Sequence, residues 1–159
     1  MQASPDRKLP DLRHCALIII DIQRDFTHPQ GVMAREGMRV MKPADREVLL
    51  DSNRKLIAAM REAGKPVIYT QVLLRPDHLD SGLTEYRRQD LPPETGFLVD
   101  GTWGAEIEDE VKPEPGDFLV VKKEKGAFTD TYLDRLLFNL GVSTCVVTGG
   151  SIRGCVPRK

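Results

Sequence analysis

The run Ala16-Leu17-Ile18-Ile19-Ile20 is apolar at every position and stops abruptly at Asp21. A strand with one wet face would alternate, so an unbroken run of this length predicts a strand buried on both faces, as at the centre of a parallel sheet. Three further short runs fit the same sheet: Val67-Ile68-Tyr69-Thr70, Phe118-Leu119-Val120-Val121 and Ser143 to Thr148. Helical spacing lies between them. Leu49, Leu56, Ile57 and Met60 recur on one face from Asp45 to Ala63, with Gly64 and Pro66 as the stop. Leu133, Leu136, Leu137 and Leu140 do the same from Asp130 to Leu140, with Thr129 or Asp130 as the cap and Gly141 as terminator. Strands alternating with amphipathic helices predict an α/β fold in three layers, α/β/α, around a mainly parallel sheet. Residues 1–159 read as a single domain.

The remaining segments are turn-rich. Thr27 to Gly37 reads as turns, and Leu73 to Asp117 is rich in Pro, Gly and charge, with one short helix expected from Gly104 to Val111. A weakly structured insertion of that length in a small domain predicts a functional loop or lid. The 23 Lys and Arg against 24 Asp and Glu leave a net charge of -1, which offers no electrostatic argument for nucleic acid or an anionic membrane as a partner. The expected partner is a small molecule. Three cysteines, Cys15, Cys145 and Cys155, form no CxxC pair and suggest neither a disulfide framework nor a zinc site. Met1 to Arg13 lacks the apolar stretch of a secretory signal, and no segment reaches membrane-spanning length, so a cytoplasmic location is expected.

In an open parallel sheet the ligand crevice lies beyond the carboxyl ends of the strands. Asp21 follows the first run, Lys122 ends the third, and Cys155 lies in the bend after the fourth, within Gly149-Gly150-Ser151-Ile152-Arg153-Gly154-Cys155. Each type of group suits one part of acyl transfer. A thiolate attacks a carbonyl carbon, a carboxylate takes the thiol proton and returns it to a leaving amine, and an ammonium lowers the thiol pKa from about 8.5. Backbone N–H groups in the glycine-rich bend complete the set as oxyanion donors. Asp25 is a competing carboxylate and Lys123 a competing ammonium, since Lys122-Lys123-Glu124-Lys125 also reads as a solvated charge run.

At these residues the chain resembles the isochorismatase-like cysteine hydrolases, which include nicotinamidases, N-carbamoylsarcosine amidase, ureidoacrylate amidohydrolases and biuret hydrolases. The matching pieces are Ala16 to Phe26, Gly101-Thr102-Trp103-Gly104-Ala105-Glu106-Ile107, Val121-Lys122 with Gly126-Ala127-Phe128 and Thr131, and Thr148-Gly149 leading to Gly154-Cys155-Val156. The resemblance implies a Rossmann-like fold with Asp21 as base, Lys122 as the family's lysine and Cys155 as nucleophile. It also implies a cis peptide at Gly150-Ser151 and an oxyanion hole from the backbone N–H groups of Ser151 and Cys155. The implied activity is cleavage of a C–N bond in a small amide, ureido or carbamoyl compound through a thioester, without a cofactor, in a homo-oligomer. Gln23, Phe26, Trp103, Arg75 and Arg153 are the candidate substrate contacts. Core packing is the competing reading for Phe26 and Trp103, and the two arginines suit a substrate carboxylate.

Two departures from the family pattern stand out. Nicotinamidases carry an Asp-x-His metal cluster after the second strand, whereas this chain reads Gln71-Val72-Leu73-Leu74-Arg75, so no metal site is expected. Family members also continue beyond the cysteine into a helix and further strands, whereas Val156-Pro157-Arg158-Lys159 is too short to nucleate a helix. The implied sheet lacks the family's last strands and leaves Cys145, Val146 and Val147 on an exposed edge. A second expectation follows, of a catalytically impaired relative that binds a partner or assembles through that edge. Cys15 and Cys145 read as packing residues.

Overall fold

The computed structural model describes residues 11–38, 41–81 and 91–150. Strand β1 (Cys15–Ile20) is followed by two short helices, α1 (Arg24–Thr27) and α2 (Val32–Arg35), and by the long helix α3 (Pro43–Glu62). Strand β2 (Val67–Val72) leads into the loop region, which carries 3-10 turns at Pro93–Thr95, Trp103–Ala105 and Asp109–Val111. Strand β3 (Phe118–Lys122), helix α4 (Leu133–Asn139) and strand β4 (Thr144–Gly149) complete the order. The sheet runs β3-β2-β1-β4, and all of its pairings are parallel.

All six residues of β1 are buried, because the strand is paired on both sides and covered on both faces. Its side chains alternate between two cores. Cys15, Leu17 and Ile19 pack with Leu50, Ile57 and Met60 of α3, whereas Ala16, Ile18 and Ile20 pack with Leu133 and Leu137 of α4. Burying such side chains stabilises the fold by roughly 1.5–3 kcal/mol each, and this explains why the continuous run was needed. A third cluster, Val72, Leu74, Leu91, Phe97 and Leu98 with Val32 and Met33, lies under the loops. The α/β architecture expected from the alternation of runs is therefore present.

Local differences from the sequence expectation have physical causes. The stretch from Thr27 to Gly37, expected as turns, contains α2 and begins at the last residue of α1. Helix α3 begins at Pro43 rather than Asp45, because proline suits a first helical position where its missing N–H is no loss. The helix expected from Gly104 to Val111 is two separate 3-10 turns. Glu106 between them is extended, and Ile107 forms an antiparallel bridge to Gln23, so this stretch bonds outward instead of to itself. Helix α4 starts at Leu133, since Asp130 has a left-handed backbone with φ 52°. The capping expected of Thr129 or Asp130 is not formed: the N-cap position is Tyr132, which makes no side-chain cap bond, and the hydroxyl of Thr131 before it accepts the N–H of Leu133 at 3.2 Å.

Among the described residues β4 pairs on one side only, with β1. Its Cys145 and Val147 are exposed, as is Phe138 on the adjoining helix at 84%. Of the three residues anticipated on an exposed edge, Cys145 and Val147 are exposed, whereas Val146 is partly buried against the α3-side core. No helix of the described residues is long and apolar enough to cross a membrane.

Candidate functional site

The carboxyl ends of β1, β2 and β3 meet where Asp21, Thr70 and Lys122 lie. Ile20 points to the α4 side, so one more extended residue would face α3. Asp21 instead has φ 50°, a left-handed conformation that aspartate tolerates better than most residues. That backbone swing brings its carboxylate towards Thr70 and Lys122. The Thr70 hydroxyl donates to Asp21 Oδ1 at 2.7 Å, and Lys122 Nζ stands 2.9 Å from Oδ2.

Both ionic groups are almost completely buried, Asp21 at 3% and Lys122 at 1% exposure. Lys122 Nζ also donates to the carbonyls of Glu124 and Lys125, at 3.0 and 3.1 Å. Its contact with Oδ2 is ionic rather than an aligned hydrogen bond, and among the described residues Oδ2 accepts no other donor. A buried carboxylate with one fixed oxygen and one oxygen open to a proton is suited to proton transfer. The pair is costly to bury, and such arrangements concentrate at functional sites.

The two competing residues are employed elsewhere. Asp25 accepts the backbone N–H groups of Val32 and Leu98, at 3.0 and 2.8 Å. Lys123 bonds the carbonyl of Leu73 and pairs with Asp80 at 2.8 Å.

The end of β4 and the residue after it lie beside Asp21, where a Cβ on Gly150 would stand 3.4 Å from the Asp21 carbonyl oxygen. Gly149 has φ 142°, and a Cβ there would fall 2.2 Å from the Ile20 carbonyl oxygen, so only glycine fits. The next N–H, of Gly150, donates to the same carbonyl at 3.1 Å. The positions expected to carry the nucleophile and oxyanion donors, Cys155 and Ser151, lie outside the described residues. So do Arg153 and the expected cis peptide at Gly150-Ser151.

Of the candidate substrate contacts, Gln23 is fully buried and its amide is committed to backbone. Nε2 donates to the carbonyls of Val72 and Ala105 at 2.8 and 2.7 Å, and Oε1 accepts the N–H of Val72 at 2.8 Å. Phe26 is half-buried and stacks edge-on to Phe97 with centroids 5.5 Å apart. Trp103 is 45% exposed and is flanked by His28, edge-on at 4.9 Å, and by the Arg24 guanidinium at 5.1 Å. Arg75 is exposed and pairs with Asp77 at 2.9 Å. An open cavity of about 270 Å3 lies between Asp25, Val32, Arg35, Thr95, Trp103 and Gly104.

Two supporting features escaped the sequence reading. Thr70 was seen only as the end of an apolar run, although a polar residue at the carboxyl end of a central strand was itself the signal. A buried relay also braces α1. Thr27 Oγ1 donates to Glu108 Oε1 at 2.6 Å, and Arg46 holds both oxygens of Glu108, at 3.1 and 2.7 Å. The hydrogen bonds that Arg46 donates to Glu108 raise the pKa of its guanidinium further, against its burial. Nothing in the residue types marks this long-range contact. Among the described residues no three His, Cys, Asp or Glu are grouped so as to hold a metal ion.

A family model described as the Isochorismatase domain matches residues 15–158. The chain belongs to the isochorismatase family. It is 28% identical over 167 residues to a ureidoacrylate amidohydrolase RutB of Methylobacterium radiotolerans, covering 98% of this chain and 64% of that protein. It is 30% identical over 145 residues to an N-carbamoylsarcosine amidase of an Arthrobacter species, covering 89% of this chain and 50% of the relative. Among solved structures, a cysteine hydrolase from Pseudomonas syringae pv. phaseolicola superimposes with a TM-score of 0.77 at 26% identity, over 98% of this chain and 68% of that one. The chain thus spans between half and two thirds of the length of these two curated relatives.

Proposed function

We propose that this chain carries the acyl-transfer site of a cysteine amidohydrolase acting on a small amide, ureido or carbamoyl substrate. The observation that carries the reading is the buried Asp21–Lys122 pair at 2.9 Å, set at the strand ends beside the Gly149-Gly150 bend that leads to Cys155. The similarity to a ureidoacrylate amidohydrolase and an N-carbamoylsarcosine amidase supports the substrate class. In this reading Asp21 removes the Cys155 thiol proton, and the sulfur forms a bond to the carbonyl carbon. The C–N bond then breaks as Asp21 passes the proton to the departing nitrogen, leaving a thioester. Water, deprotonated by Asp21, attacks the thioester; the acid leaves and the thiol is restored. Lys122 keeps the crevice electropositive, favouring thiolate, while Thr70 fixes the carboxylate. Backbone N–H groups of Ser151 and Cys155 hold the oxyanion, and Phe26, Trp103, Gln23, Arg75 and Arg153 form or support the substrate wall. The site works without a cofactor, in a cytoplasmic homo-oligomer.

The test is thioester trapping by mass spectrometry with ureido and carbamoyl amides. An adduct mapped to Cys155, lost in Cys155→Ala together with turnover, is expected. Hydrolysis that continues unchanged in Cys155→Ala overturns the assignment.

The exposed residues of β4 favour a second reading, in which the chain is a non-catalytic module that assembles through its open edge. Concentration-dependent association together with no acylation of Cys155 favours that reading over the first.

A further inference from the structure

Asp25 is 2% exposed and takes no part in the pair at the strand ends, yet two separate segments, α2 and the loop 91–105, meet its carboxylate at three points. Oδ1 accepts the N–H of Val32, the first residue of α2, and Oδ2 accepts the N–H of Leu98. Gly104 presses on the same group so closely that a Cβ there would stand 2.1 Å from Oδ1. Leu98 itself is strained. It is fully buried with a left-handed backbone, φ 54°, a conformation that a leucine holds only when its surroundings impose it. One restraint is the Asp25 carboxylate on its N–H; the other is the N–H of Leu74 on its carbonyl, at 2.8 Å. Fixed in this way, Leu98 presents the neighbouring Phe97 to Phe26. The loop then runs to Ala105, whose carbonyl is gripped by Gln23, two residues from Asp21.

From this geometry we infer that Asp25 is a positioning residue, the latch that fastens loop 91–105 to the segment bearing Asp21 and so sets which substrates the loop admits. The substrate part rests on the hydrolase reading above. A carboxylate is required chemically, since two N–H donors aim at it from different segments and each charge-assisted bond is stronger than a neutral one. Asparagine offers one acceptor oxygen and turns an NH2 group towards the other donor. With the latch broken, loop 91–105 separates from α1 and α2 and the cavity beside Asp25 widens, while the sheet is left intact.

The experiment compares amide hydrogen exchange in the full chain with that in Asp25→Asn and in Gly104→Ala, the latter displacing the carboxylate without altering it. Exchange at Val32 and Leu98 is expected to accelerate at least tenfold in both variants, with the amides of β1 and β2 unchanged. No acceleration at Leu98, or the same acceleration throughout the sheet, overturns the latch. In a second arm, binding of N-carbamoylsarcosine is measured calorimetrically in a Cys155→Ala background, where Asp25→Asn is expected to raise Kd at least tenfold. An unchanged Kd beside a loosened loop refutes the role in substrate admission. Failure of Cys155 to acylate refutes the hydrolase reading and leaves the exchange result to judge the latch alone.

Discussion

Replacing Lys122 by methionine removes the ammonium while keeping an unbranched side chain in its slot, and leaves the Asp21 carboxylate buried with Thr70 as its remaining side-chain donor among the described residues. At a separation of 2.9 Å and an effective dielectric constant of about 20, the attraction is about 6 kcal/mol before desolvation is charged against it. Desolvating two ions takes back several kcal/mol each, so the intact pair contributes little net stability. Breaking it is different, because the desolvation of Asp21 is then uncompensated, and a loss of about 3–5 kcal/mol is expected. Against a total stability of about 5–15 kcal/mol this is a large fraction. Asp21→Asn removes the other charge, and asparagine tolerates the left-handed backbone at this position. The double variant Asp21→Asn/Lys122→Met is expected to recover much of the loss, with a coupling energy of about 3 kcal/mol. Urea unfolding followed by circular dichroism, run on all four proteins at pH 7, measures the cycle. A cost below about 1 kcal/mol for Lys122→Met, or single effects that add to within about 0.5 kcal/mol, would refute the reasoning.

Other perturbations test separate parts of the structure. Gly149→Ala sets a methyl against the Ile20 carbonyl and imposes φ 142° on an L-residue; thermal unfolding is expected to show a loss of about 2 kcal/mol or more, and a neutral outcome would contradict the close approach of β4 to β1. Burial, with Asp117 adding to it, pushes the Tyr69 hydroxyl up to about 12 from its ordinary value near 10. The neutral form is therefore favoured by the fold. Its stabilising contribution is fully present below about pH 10 and is lost as the pH rises towards 12, a window that absorbance titration at alkaline pH detects as one late-ionising tyrosine, absent in Tyr69→Phe. Val147→Lys places a charge on β4, which pairs on one side only among the described residues, at a position already 44% exposed; under the second reading proposed above, sedimentation is expected to show weaker self-association with folding stability unchanged to within about 0.5 kcal/mol.

The strands and the two main helices were legible because each depends on a periodicity that burial enforces. An unbroken apolar run such as Ala16 to Ile20 has no stable place except between two covered faces, and both cores claim alternate residues of it. The boundaries were less legible. Asp130 looks like a helix cap by residue type, but its backbone is left-handed and the helix starts only at Leu133, with Tyr132 at the N-cap position. In the same way, Gly104 to Val111 has a helical composition, yet the bridge from Ile107 to Gln23 holds its centre extended. In the second case local preference loses to a bond made with a distant part of the chain.

The candidate site divides along the same line. Sequence alone placed Asp21 and Lys122 at strand ends, because the change from apolar to charged is local and the sheet carries such ends to one edge. Which carboxylate and which lysine meet was a matter for the tertiary structure. Asp21 and Asp25 are chemically identical and four residues apart, but only the left-handed turn at Asp21 aims a carboxylate at Lys122, while Asp25 is consumed by two backbone donors. Lys122 is the last residue of β3 and Lys123 the first beyond it, and one pairs with Asp21 while the other pairs with Asp80. A side-chain type specifies what chemistry a residue can perform, and its direction emerges only once backbone dihedrals and long-range contacts have been satisfied together.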